Sequence, residues 1–388
     1  MFSLRTRWDL TANALALAVE GRREKGLPLA DLTESNPTRV GLALDGDALV
    51  AAFAHFEAGV YQPEPRGLLT AREAVQRTFL ERGHDVALER LFLTASTSEA
   101  YAFLFKLLCD PGDEILVPRP SYPLFEFLAG LESVTTRGYP LSFDGEWHLE
   151  RSNLLGELGP RTRAIVVVSP NNPTGSFLKR RELQLLEEVA GERGIAVISD
   201  EVFADYGRGA KGERVSVLDA PGLFSFALGG LSKGAALPQV KVGWLAANGP
   251  APLVEEALRR LEIIADTYLS VSTPSQLALP SLLAQRGEIQ RRIRDRVEEN
   301  FAALSRAIVP GDPVGLLPLE GGWSAVLRIP RTRSEQAWVV TLVEEDGVLV
   351  HPGFFFDFPG EGYLSVSLLP RPEEFARAAL RLLARLRR

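Results

Sequence analysis

Between residues 90 and 230 the chain alternates short, nearly continuous apolar runs with longer stretches of helical periodicity. The runs RLFLTA (90–95), DEILVP (113–118), RAIVVVSP (163–170), IAVISD (195–200) and FSFALGG (224–230) predict strands. Between them, TSEAYAFLFKLL, LFEFLAGL and KRRELQLLEEVAGERG (179–194) predict helices. Apolar strands separated by helices specify a mostly parallel sheet covered on both faces. The pattern changes after about residue 250. LVEEALRRLEIIADTYL and GEIQRRIRDRVEENFAALSRAI predict long helices, the second leading out of the sheet domain. GGWSAVLRI and GYLSVSLL predict strands, and PEEFARAALRLLARLRR predicts a closing amphipathic helix. The expected fold class is α/β, with a large domain over 45–280 and a smaller α/β domain built from 1–44 and 281–388.

Composition narrows the functions this architecture can serve. A net charge of -7 argues against nucleic acid or an anionic membrane as partner, since either needs a basic face. No apolar run approaches the roughly 20 residues of a membrane span, and the charged N-terminus is not a secretory signal. The lone Cys109 sits in an apolar helical run, where it reads as packing, and it permits no disulfide framework. A cytoplasmic location is expected. His55, His84, His148 and His351 are scattered without ligand spacing, so no metal site is expected.

In sheets of this kind ligands sit at the carboxyl ends of the strands. The polar groups just past those ends are Ser96-Thr97-Ser98, Ser121-Tyr122, Asn171-Asn172, Asp200-Glu201 and Ser232-Lys233. Ser96, Thr97 and Ser98 open a helix directly after a strand, where backbone N–H groups and the helix dipole favour an anion. Asp200 ends a buried strand, where a carboxylate needs a partner.

These loops, with SNPT (35–38), YQPEPRG (61–67), DPGDEILVPRPSYP (110–123), SPNNPTG (169–175), SDEVFADY (199–206), LSK (231–233) and VHPGFFF (350–356), resemble the fold-type I pyridoxal-phosphate enzymes, specifically class I/II aminotransferases. The resemblance implies pyridoxal 5'-phosphate as cofactor and a homodimer with shared active sites. The reaction it implies is a ping-pong transfer of an amino group between a small amino acid and a 2-oxo acid. A lyase or decarboxylase on the same scaffold is the alternative. The resemblance gives Lys233 the Schiff base with the cofactor and Asp200 the pyridine nitrogen. It gives Asn172 the phenolic oxygen and Tyr122 the ring face. Ser96, Thr97, Ser98 and Lys241 fall to the cofactor's phosphate end, Ser232 to the cofactor, and Tyr61 to the phosphate of the neighbouring subunit. Ser35 belongs to the segment that lies over the substrate.

The departures from the family pattern are specific. The chain has 6 lysines and 37 arginines, yet Lys241 stands where the family carries a phosphate-binding arginine, eight residues after Lys233. A lysine offers a point charge there in place of a planar fork. Gly230 replaces a serine or threonine that adds a phosphate contact. Phe203 replaces the tyrosine that donates to the ring's phenolic oxygen, leaving Tyr206 as a possible substitute. Ser365 stands at the position of the arginine that grips the substrate carboxylate. Arg39, Arg119 and Arg371 are the candidates to replace it, with Arg39 favoured. Tyr268, where dicarboxylate-specific relatives carry an arginine, disfavours aspartate.

Borohydride reduction of the cofactor-loaded protein, followed by peptide mapping, is expected to find the pyridoxyl label on Lys233. A label on Lys241 would exchange the two assignments.

Overall fold

The computed structural model describes residues 1–209, 212–269 and 271–388, and among these seven strands form the central sheet. In chain order they are β1 (Leu91–Thr94), β2 (Glu114–Arg119), β3 (Thr135–Pro140), β4 (Thr162–Val168), β5 (Ala196–Asp200), β6 (Ser225–Gly230) and β7 (Gly243–Asn248). Their spatial order is β1-β7-β6-β5-β4-β2-β3. Only β7 runs antiparallel to its neighbours, β1 and β6; the other pairs are parallel. The five expected strands are all present. Strands β3 and β7 are additions that the apolar pattern does not mark. The sequence of β3, TTRGYP, is an edge strand with mostly half-exposed positions, and β7 is rich in glycine and alanine, which carry little strand propensity.

Alternate residues of each strand feed separate apolar layers. Leu116, Ile165 and Val197 enter one, whereas Ile115, Val117, Ala164, Val166 and Ile198 enter the other. Both faces are therefore covered, as the continuous apolar runs require. The helices that matter for the site are α1 (Thr97–Leu108), α2 (Arg180–Arg193), α3 (Leu231–Gly234), α4 (Ala251–Thr267), α5 (Arg286–Ala307) and α6 (Pro372–Leu386). Cys109, half-buried just after α1, has its thiol pushed up to about 12 by burial, in keeping with a packing role.

A second sheet holds β8 (Gly315–Leu316), β9 (Ser324–Arg328), β10 (His351–Pro352) and β11 (Tyr363–Ser367) in the antiparallel order β8-β9-β11-β10. Its core joins Leu327, Leu364 and Val366 to Ile293 and Val297 of α5 and Phe375 and Leu382 of α6. Leu32 and Leu42 from the N-terminal segment complete it, as do Phe203 and Tyr206 from the loop after β5. The two sheets thus meet beside the end of β5.

Two glycines permit close approaches around the site, one within the large sheet and one toward the second. A Cβ on Gly243 would lie 2.8 Å from the Ser96 carbonyl carbon and 3.0 Å from the Thr97 nitrogen, so only glycine lets β7 pass against the start of α1. Gly175 has φ +74°, and a Cβ there would lie 2.4 Å from the Gly321 carbonyl oxygen, on the segment leading to β9. Asn171 ties the same loop to the end of β2. Its Nδ2 donates to Pro120 O at 2.9 Å, and its Oδ1 accepts from Ser121 Oγ at 3.1 Å.

Phe375 on α6 is fully buried in the second core. Phe375→Ala should destabilise the protein by about 3–5 kcal/mol, the usual cost of such a cavity, read as a lower urea midpoint.

Candidate active site

Where the two sheets meet, a cavity of about 210 Å³ opens. Thr97 and Ser98 reach it from the first turn of α1, Asp200 from the end of β5, Ser232 and Lys233 from α3, and Asn172 and Tyr122 from the loops after β4 and β2. Ser35 comes from the N-terminal segment, and Trp323 and Ser324 from the start of β9. The residues from Thr97 to Lys233 converge because strands running in one direction deliver their carboxyl ends to one edge. Ser35, Trp323 and Ser324 are brought to that edge by the second unit.

Ser96 works differently from its neighbours. Its hydroxyl accepts the Glu99 N–H at 3.2 Å, while Glu99 Oε2 accepts the Ala95 N–H at 2.6 Å. Ser96 is thus the N-cap of α1, and it is absent from the cavity lining.

Asp200 and Lys233 are the charged groups of the lining. Asp200 Oδ2 accepts the Tyr101 hydroxyl at 3.1 Å and Oδ1 accepts the Val202 N–H at 3.1 Å. Burial raises its carboxyl pKa, and these bonds together with the Lys233 charge oppose the rise. Burial lowers the Lys233 amine to about 8, opposed by the Asp200 charge. Its Nζ stands 5.0 Å from the Trp323 ring centroid and 5.5 Å from that of Phe203. Each group is drawn toward its neutral form because burial costs more than the other returns.

The structure sharpens several sequence expectations. Phe203 lines the cavity as an aromatic wall with no hydroxyl. Tyr206 is not a substitute on the cavity side: its hydroxyl donates to the Lys233 carbonyl at 2.7 Å, and it is outside the lining. At Gly230 a Cβ would lie 3.3 Å from Val242 O and 3.4 Å from Gly243 Cα, a tight fit against the adjacent strand.

Other expected residues lie elsewhere on this chain. Lys241 is exposed, in a left-handed conformation with φ 60°, and outside the lining. Tyr61 is 66% exposed. Ser365 is 1% exposed at the centre of β11, between Val326 and His351 of the flanking strands, where strand packing rather than the cavity encloses it. None of the three arginine candidates lines the cavity. The Arg39 side chain is 73% exposed, pairs with Glu34 at 3.3 Å and borders a separate cleft with Arg377 and Arg381. Arg119 lies 3.6 Å from Asp357, and Arg371 caps α6 beside Gly41. Tyr268 packs on Phe103 at 5.3 Å with Lys106 Nζ 5.0 Å from its ring.

Sequence reading missed Tyr101, Trp323 and Ser324. For Tyr101 a signal existed, since it lies one helical turn after Thr97 and so shares its face. Nothing local marks Trp323 and Ser324, which arrive from the other sheet.

The donor set fits pyridoxal phosphate. An amine, a buried carboxylate in need of a cation, an amide, an aromatic face and a hydroxyl-bearing helix start line one cavity. Comparison with known proteins agrees. Residues 52–382 match the family model "Aminotransferase class I and II", and the chain belongs to that family. It is 27% identical over 361 residues to the glutamate-pyruvate aminotransferase AlaA of Escherichia coli strain K12, covering 90% of this chain and 88% of that one. It is 29% identical to the arginine–pyruvate transaminase AruH of Pseudomonas aeruginosa, with 97% and 93% covered. In fold it resembles an alanine aminotransferase structure from Pyrococcus furiosus, with TM-score 0.87, 24% identity and 99% of both chains covered. The protein is an aminotransferase of the pyridoxal-phosphate-dependent kind.

Because Lys233 is lowered to about 8, its amine is mostly neutral above that pH. Pyridoxal phosphate uptake by the cofactor-free protein should therefore level off near pH 8, not near the 10.4 typical of a free lysine. Asp200→Asn removes the charge that raises the amine's pKa and should move the plateau lower. Absorbance-monitored uptake across pH measures both.

Proposed function

We propose that the chain binds pyridoxal 5'-phosphate in this cavity and transfers an amino group from a small amino acid to a 2-oxo acid in two half-reactions. The convergence of Lys233, Asp200, Asn172, Thr97 and Ser98 on one cavity is the observation that carries the reading. Pyridoxal phosphate, when bound, supplies a carbonyl that takes the amino group and a ring that delocalises the electron pair of the broken bond. In this reading Lys233 anchors the cofactor covalently and, once freed, moves the proton at the substrate's α-carbon. An amine lowered to about 8 is poised to take and return that proton near neutrality. Asp200 pairs with the ring nitrogen and keeps it protonated. Asn172 bonds the ring's phenolic oxygen, and Tyr122 covers a ring face. Thr97, Ser98 and Ser232 hold the phosphate with the helix start, and Lys241, outside the lining but two residues before the Gly243 that packs on that helix start, adds a charge from beyond the cavity. Ser35 faces the substrate.

Transamination is favoured over elimination or decarboxylation by relatives named as glutamate-pyruvate and arginine–pyruvate aminotransferases. A shared homodimeric site is the accompanying proposal, with Tyr61 reaching the partner's phosphate. Val60, Tyr61, Ile263 and Leu269 are exposed apolar groups, and an Arg66–Glu262 ion pair of 2.7 Å joins the segments that carry them. Such a face calls for a covering surface. Among the described residues no helix is long and apolar enough to cross a membrane, and a cytoplasmic site of action is proposed.

The central experiment mixes the cofactor-loaded protein with L-alanine and other small amino acids and follows the cofactor's absorbance. Conversion of the chromophore with release of the matching 2-oxo acid supports the reading; release of ammonia or carbon dioxide in its place overturns it. For the phosphate, Lys241→Ala should weaken cofactor binding by about 1.5–3 kcal/mol, the range for a hydrogen bond to a charged group, while Lys241→Arg keeps it. Cofactor titration of the two variants decides.

A further inference from the structure

Helix α3, which carries Lys233, is four residues long and too short to hold its own shape. Its last carbonyls lack partners within the helix. Two side chains from different parts of the fold take adjacent ones. Tyr206, from the loop after β5, donates its hydroxyl to the Lys233 carbonyl at 2.7 Å, where the Ala236 N–H reaches only to 3.4 Å. Gln290, from α5, donates Nε2 to the Gly234 carbonyl at 2.7 Å. The same Nε2 reaches Asp205 Oδ2 at 3.0 Å, and Arg82 forks that carboxylate with two bonds of 3.0 Å. Tyr206 and Gln290 are 2% and 8% exposed.

The brace also bears on the amine. The Tyr206 ring packs edge-on against Trp323 at 5.0 Å, and Trp323 packs against Phe203 at 5.1 Å. These last two rings are the ones facing Lys233 Nζ. One side chain therefore fixes both the lysine's main chain and part of the wall beside its amine.

We infer that Tyr206 and Gln290 are positioning residues that aim the Lys233 amine into the cavity. The inference rests on the role proposed above for Lys233. A buried phenol and a buried amide could satisfy themselves on many carbonyls. Here they hold neighbouring carbonyls of one turn, one of them that of the reactive lysine, and Asp205 binds Gln290 beside Tyr206 in the chain. Aim matters because proton transfer and imine formation fall steeply with misplacement of the reacting atoms. Phe203 brings no hydroxyl to the cavity, whereas Tyr206 carries one to the lysine's main chain.

Two variants test this in the cofactor-loaded protein. Tyr206→Phe deletes only the hydroxyl and keeps the ring on Trp323. Gln290→Met removes the amide donor at similar length. In each, the rate of chromophore conversion at saturating L-alanine should fall about tenfold while the donor's dissociation constant stays within about twofold. The midpoint of the bound chromophore's own pH titration, recorded without substrate, should move by about half a unit or more. A melting temperature within a few degrees of the parent's excludes simple unfolding. An unmoved titration midpoint in both variants overturns the inference, whatever happens to the rate. Failure of the parent to convert with any donor would sink the transamination reading alone, because the substrate-free titration still decides the brace.

Discussion

Everything at this site depends on holding an amine and a carboxylate together where neither is fully solvated. Asp200 ends β5, and Leu228 of β6 lies opposite it in register, five residues before Lys233. The sheet thus sets the spacing of the two groups through its hydrogen-bond ladder. Desolvation pushes the carboxylate up and the amine down, and a cationic pyridine ring beside Asp200 would relieve the first cost while covalent use of Lys233 removes the second. The site thus holds two groups whose burial perturbs them in opposite directions, the setting in which reactive groups are commonly found.

The surrounding residues show what happens when a familiar group is replaced. A Cβ at Gly230 would sit tightly against β7, 3.3 Å from Val242 O, and Gly243 of that strand is itself pressed against the start of α1. At Phe203 an aromatic wall without a hydroxyl, Phe203 on Trp323 on Tyr206, belongs to the second core and faces the cavity. The cavity side of this wall is apolar, and its hydrogen bond, from Tyr206 to the Lys233 carbonyl, lies behind it.

Lys233 is the one cation among the lining residues. A substrate carboxylate entering this chain's cavity would meet the Ser35 and Ser324 hydroxyls and the Asn172 amide, whose Oδ1 already accepts from Ser324 Oγ at 3.4 Å. Neutral donors of this kind bring neither the opposite charge nor the two-pronged geometry of an arginine fork to that carboxylate. Recognition in such a cavity leans on shape and on the apolar wall of Leu124, Leu128 and Phe125 more than on charge.

Local pattern was enough for the layers and for the main chemistry. Apolar runs named five strands of the large sheet, and the loops at their ends named Thr97, Ser98, Tyr122, Asn172, Asp200 and Lys233, because strand direction sends those loops to one edge. Strand β3, an exposed edge, and the glycine-rich β7 escaped because their pairing comes from neighbours and not from their own residues. What only the tertiary structure decided is which side chains face the cavity. Arg39 and Ser35 lie four residues apart, yet Ser35 lines it and Arg39 turns outward to Glu34. Tyr101 reaches Asp200 across the sheet edge, and Trp323 arrives from the second sheet. Tyr206 turns to a main-chain carbonyl that no spacing rule could identify. Side-chain direction at a junction of two cores follows from the packing of both, and neither core is written in the few residues around any one of these positions.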